Sequence, residues 1–178
     1  MTSDERADMT TLLIDVLREM IVRDGYPLSL VDPDEPLPAD GALAVSIGLG
    51  RPDLKGALMI MAQPSFFRLT YPLEVPGGVS EEAMIDWAGE LANQLLGRFK
   101  NRLCTRGLDF NIAAPMVIGG NRLQVRLNEG PHSLACKVRL GSERVDLRLE
   151  LIREDGQSLL TTGTYPSVAA LEGDTILF

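Results

Sequence analysis

The chain has 178 residues, 45% of them hydrophobic, which suits one folded domain with a sizeable core. Its 17 basic and 25 acidic residues give a formal net charge of −8 (17 − 25) with no long basic run, excluding a surface built for nucleic acid or anionic membrane. Two cysteines, Cys104 and Cys136, and one histidine, His132, are too few and too far apart for a zinc site, and no apolar run approaches the length of a membrane span.

Met1 to Asp8 is acidic and polar, unlike a signal peptide. In a chain of cytosolic character the two cysteines are not expected to pair. Met9 to Arg23 has helical spacing, with Thr10 or Thr11 as its cap and Gly25 as its stop. Asp32 to Pro38 holds three prolines and must be a loop or an extended edge. Leu43 to Leu49 and Leu54 to Ala62 read as strands joined by a turn at Gly50 to Asp53, a hairpin. Pro64 to Tyr71 suits a short helix started by Pro64, and Pro76-Gly77-Gly78 breaks the chain after it.

A long helix follows, from an N-cap at Ser80 to about Cys104. Glu81 and Glu82 suit the positive end of its dipole, and Lys100, Arg102 and Arg106 lie near the negative end. Asn111 to Ile118 is extended but interrupted by Pro115. Gly119-Gly120-Asn121 turns the chain, Arg122 to Leu127 returns it, and Asn128 to Pro131 turns it again. His132 to Leu140 and Arg144 to Ile152 form another hairpin around Gly141-Ser142. His132 follows a proline in a turn and has no Cys or Ser partner, so it reads as a surface residue. The tail after Arg153 is rich in Gly, Thr and Ser and is expected to pack loosely, with Ile176, Leu177 and Phe178 as its anchor.

The long helix carries the chemistry. Steps of about 100° place Asp86, Glu90, Asn93 and Gly97 within roughly 60° of one another. Ile85, Ala88, Leu91, Ala92, Leu95, Leu96, Phe99 and Leu103 lie mostly on the other side, toward a core, and Trp87 beside the stripe reads as core. Periodicity alone makes the polar stripe a solvated face. Two of its residues argue for more, since Asn and Gly are poor helix formers and packing does not explain them there. A glycine on that face costs about 1 kcal/mol but lets another surface approach closely.

The two halves echo each other. Leu43 to Gly50 matches Leu134 to Gly141 at Leu, Ala, the β-branched position, Leu and Gly, and a helix precedes each hairpin. The first helix has Asp15, Glu19 and Val22 where the second has Asp86, Glu90 and Asn93. A duplication predicts an α+β fold: two long helices on a mainly antiparallel sheet, related by pseudo-twofold symmetry, with extra strands in the second half.

The order Asp, three residues, Glu, two residues, Asn, then twenty-one residues and Pro is carried here by Asp86, Glu90, Asn93 and Pro115. It resembles the signature of the CheC, CheX and FliY phosphatases of bacterial chemotaxis. Gly89, Gly97, Asp109-Phe110, Gly50 and Lys55-Gly56 also look like that family. The similarity covers approximately Leu12 to Ile152, within a single domain spanning 1–178 whose core is about 10–152. With Val22 in place of the first helix's Asn, the chain looks more like CheX than CheC.

The resemblance implies a cytoplasmic enzyme that removes the phosphoryl group from the aspartate of a CheY-type response regulator. It implies that Asn93 positions the attacking water and that Glu90 docks on the receiver lysine. Gly97 leaves room for the partner, while Asp86 and Pro115 have supporting places. No cofactor of its own is implied, since the receiver domain supplies Mg²⁺. A homodimer is implied too. The alternative is a non-catalytic scaffold of the same fold that binds a receiver or a motor component. The tail 153–178 and the proline-rich loop 32–38 lie outside the family pattern.

Overall fold

The computed structural model describes residues 2–21, 27–32, 41–121, 123, 125 and 132–153. The first helix, α1 (Ser3–Ile21), begins six residues before the expected Met9. The reason is a reciprocal cap. Thr2 Oγ1 accepts from the Glu5 backbone N–H, and the Glu5 carboxylate accepts from the Thr2 N–H at 2.7 Å. Thr10 and Thr11, expected as caps, lie inside the helix and donate their hydroxyls back to the carbonyls of Arg6 and Ala7. Gly25 lies outside the described residues.

Among the described residues six strands form one antiparallel sheet in the order β1-β5-β6-β3-β2-β4. They are β1 (Leu28–Leu30), β2 (Ala42–Arg51), β3 (Leu54–Ala62), β4 (Asn111–Gly120), β5 (Ser133–Leu140) and β6 (Glu143–Arg153). The three-residue β1 has no counterpart in the sequence reading. Gly119 and Gly120, expected in a turn, are the last residues of β4, paired with Leu43 and Ala42. Pro115 does not end β4, which continues through it opposite Ile47, but the interruption expected there appears as a shift of register: the next pair is Leu49 with Ile112. An edge strand tolerates proline because a backbone donor facing away from the sheet is not needed there. Of the predicted return strand only Leu123 and Val125 are described; neither lies in a strand, and both pack against the cluster of Ala42, Ala44 and Met61. The turn after it, the tail and most of the proline-rich loop lie outside the described residues.

The strand order has the pseudo-twofold arrangement that a duplication predicts. The hairpins β2-β3 and β5-β6 meet at a central β3-β6 seam, and β4 and β1 flank them on opposite sides. At that seam Gly56 faces Glu150 so closely that an added Cβ would lie 2.1 Å from the Glu150 carbonyl oxygen. The turn between β5 and β6 uses Gly141 at φ +60°, a conformation that other residues adopt only at a cost.

Alternation along the strands sends Val45, Ile47, Leu58, Ile60, Leu147 and Leu149 to one face, where they meet the buried sides of α1 and the second long helix, α3 (Glu81–Cys104). The short α2 (Pro64–Leu69), started by Pro64, adds Phe66 and Phe67 to the same core. Both cysteines are free thiols, and burial pushes Cys136 up to about 12, so it stays protonated at neutral pH. His132, read as a surface residue, is instead only 5% exposed, and burial lowers its pKa below the ordinary imidazole value. Its position one residue before β5 carries it into the fold, a consequence of tertiary packing that its neighbours in sequence do not reveal.

Candidate functional site

Helix α3 starts where its cap directs. Ser80 Oγ accepts the Ala83 backbone N–H at 3.2 Å, and Glu81 and Glu82 occupy the first turn. Met84, Ala88, Leu91, Leu95 and Phe99 bury one side. Ile85, expected to face the core, is 37% exposed on the flank. Trp87 packs partly against the core and donates its indole N–H to Thr70 Oγ1 at 3.1 Å, with the Tyr71 ring set edgewise at 6.1 Å. These contacts fix the rotation of the helix about its axis. Asp86, Glu90 and Asn93 are consequently exposed, with Gly97 half-buried in line with them.

Each residue of the expected set falls in a definable place. Glu90 accepts a hydrogen bond from Gln94 Nε2 at 2.7 Å. Asn93 and Asp86 project from the same face without a side-chain partner among the described residues. At Gly97 an added Cβ would meet nothing within 4 Å, so nothing inside the described molecule accounts for the missing side chain. Pro115 reaches the stripe from β4. Its Cγ lies 3.5 Å from where a Cβ on Gly89 would be, with Val117 Cγ2 at 3.8 Å. Gly89 is thus the point at which the helix lies against the edge strand, and the next residue is Glu90. Gln94 has no part in the sequence reading, although its spacing of four from Glu90 is the signal that would have found it.

The stripe is acidic and stays so. Glu82, Asp86 and Glu90 are exposed along it. Arg98 is exposed beside Gly97, beyond Gln94, while the other basic residues at and just past the end of α3 are engaged elsewhere. Lys100 pairs with Asp109 at 3.2 Å, Arg102 holds Glu19 of α1, and Arg106 holds Asp8. The face therefore offers carboxylate and carboxamide groups to a cationic partner surface. Among the described residues no group of three His, Cys, Asp or Glu side chains is placed to hold a metal ion, and no helix is long and apolar enough to cross a membrane.

The family model described as chemotaxis phosphatase CheX matches residues 44–139, more than half of the chain and all of α3. Among solved structures, CheX from Vibrio vulnificus is 22% identical at a TM-score of 0.63, over 81% of this chain and 93% of that one. A CheC-like superfamily protein from Shewanella sp. PV-4 is 23% identical at a TM-score of 0.59, over 84% and 99%. CheX from Borrelia burgdorferi, solved as a complex with CheY, BeF3 and Mg²⁺, is 18% identical at a TM-score of 0.61, over 82% and 97%. No curated protein matches the chain.

Proposed function

The chain belongs to the CheX family of chemotaxis phosphatases, and on that premise we propose that it dephosphorylates the phospho-aspartate of a CheY-type response regulator. The observation that carries this reading is the exposed pair Glu90 and Asn93 on α3, with Gly97 one turn beyond leaving room for a docking surface. The complex of the Borrelia CheX with CheY supports the choice of partner.

The chemistry asks little of the phosphatase except position. Water attacks phosphorus in line, the bond to the aspartyl oxygen breaks, and the products are inorganic phosphate and the free carboxylate. The receiver's own Mg²⁺ and lysine bear the charge on the phosphoryl oxygens. Asn93 holds the water through its side-chain amide, which both donates and accepts. A carboxylate in that place would be repelled by the phosphoryl group. Glu90 pairs with the receiver lysine and fixes the docking register. Asp86 lies at the rim. Pro115 supports the helix through Gly89 and takes no part in the chemistry.

The reaction belongs in the cytoplasm, where its substrate would be. We extend the reading to a homodimer. The ten-residue β4 is the outermost strand on its side of the described sheet, and Met116 and Ile118 on it are 62% and 41% exposed. Strand addition along that edge would pair two copies.

The test is phosphate release from a phosphorylated receiver domain in the presence of wild-type protein or Asn93→Ala. Rapid release with wild type alone is the expected result. Equal release by both would overturn the role of Asn93. Tight binding without any acceleration would replace the phosphatase by the scaffold.

A further inference from the structure

We propose that Gln94 is a positioning residue that presets the Glu90 carboxylate for docking, an inference that rests on the phosphatase reading above. Gln94 Nε2 donates to Glu90 Oε1 at 2.7 Å. That bond takes one carboxylate oxygen and leaves Oε2 without a partner among the described residues. Glutamate has three rotatable torsions, and an exposed one samples many rotamers that must be given up when it meets a lysine. A neighbour that selects one of them beforehand reduces that loss.

The kind of neighbour is informative. The common helical partner for Glu four residues on is Lys, which would satisfy the carboxylate more strongly. A lysine at 94 would also cancel the charge that has to attract the receiver's cation. Glutamine supplies a donor without a charge. It orients Glu90 and leaves the negative potential of the stripe, with Glu82 and Asp86 nearby, undiminished. Gln94 is half-buried beside the stripe, whereas Glu90 is exposed, so the more constrained side chain holds the freer one. Gln94 is not a catalytic residue, because Asn93 rather than Gln94 lies in line with Asp86 and Gly97.

The experiment measures steady-state phosphate release by the full chain from a CheY-type receiver phosphorylated with acetyl phosphate in Mg²⁺. It compares wild type, Gln94→Met, Gln94→Lys, Glu90→Ala and the pair Glu90→Ala/Gln94→Met. Methionine keeps the length and helix propensity of glutamine without its donor. The expected result for Gln94→Met is a rise in KM of about three- to tenfold, the factor for one long side chain ordered on docking instead of in advance. Its kcat stays within about twofold of wild type. Gln94→Lys raises KM at least as much although it keeps a donor. In the Glu90→Ala background Gln94→Met changes nothing further.

A KM for Gln94→Met equal to that of wild type would overturn the proposal and leave the phosphatase standing. So would an undiminished effect in the absence of Glu90. Failure of wild type to release phosphate from any receiver would overturn the phosphatase reading and this inference with it. A thermal melt of each variant separates misfolding from a change in docking.

Discussion

Helix α1 carries Asp15 and Glu19 at the spacing that α3 repeats as Asp86 and Glu90. In α1 the acids are engaged. Asp15 pairs with Arg18 one turn on, and Glu19 takes both oxygens to Arg102 of α3, at 3.0 and 3.1 Å. In α3 the acids keep to themselves, apart from the neutral contact of Glu90 with Gln94. The same two residue types therefore serve as a clamp in one half and as a presented surface in the other. What separates them is the supply of arginine within reach. A carboxylate pattern is left open to solvent only where the fold leaves it without a cation, so spacing has to be read together with neighbours.

Four substitutions test how deep that difference runs. Asn93→Ala is expected to have the largest effect, lowering the rate of phosphate release by about a hundredfold. That is the order of loss when a reacting group is no longer held in place, and single-turnover kinetics with a phosphorylated receiver measure it. Glu90→Ala follows, with a loss of about tenfold that falls chiefly on KM, as expected of a charge pair made across the interface. A titration against the receiver that followed the chain's one tryptophan, Trp87, beside the stripe, would report it directly.

Gly97→Ala pulls two measurements in opposite directions. The added methyl meets nothing within 4 Å, so the helix should gain about 0.5–1 kcal/mol of stability. Docking should weaken several-fold, because the methyl occupies the space left for the partner. A stabilised protein with unchanged affinity would remove the reason given for the glycine. The smallest effect belongs to α1. Glu19→Ala should leave turnover unchanged and cost about 0.2–1 kcal/mol in a thermal melt, since the Arg102–Glu19 pair is 56% and 49% exposed. A loss of turnover there would mean that the two helices are not separate in function.

The legible parts of the chain were those decided locally. The two hairpins, the Ser80 cap, the extent of α3 and the exposure of Asp86, Glu90 and Asn93 follow from periodicity and capping chemistry, and the structure has them where the residues put them. The start of α1 was also written locally, in Thr2 and Glu5, but an acidic run conceals a cap that depends on one threonine. Other features were not local at all. The strand β1 is three residues long and exists because β5 offers it an edge. Gly119 and Gly120 look like a turn and are held extended by Leu43 and Ala42. Within the site, Gly89 was recognisable by resemblance, while its reason is Pro115, twenty-six residues away in sequence and in contact only after folding.

The strand order also governs how the molecule can be assembled. The first half contributes β1 to the second half's hairpin, and the second half contributes β4 to the first half's. Each half thus completes the other's sheet and cannot complete its own. The pairs Leu28 with Leu140 and Leu43 with Gly119 join residues far apart along the chain. Such long-range pairing carries a large loop-closure cost and slows folding. Cutting the chain between α2 and α3 would yield two fragments with open strand edges, each sticky toward its missing counterpart.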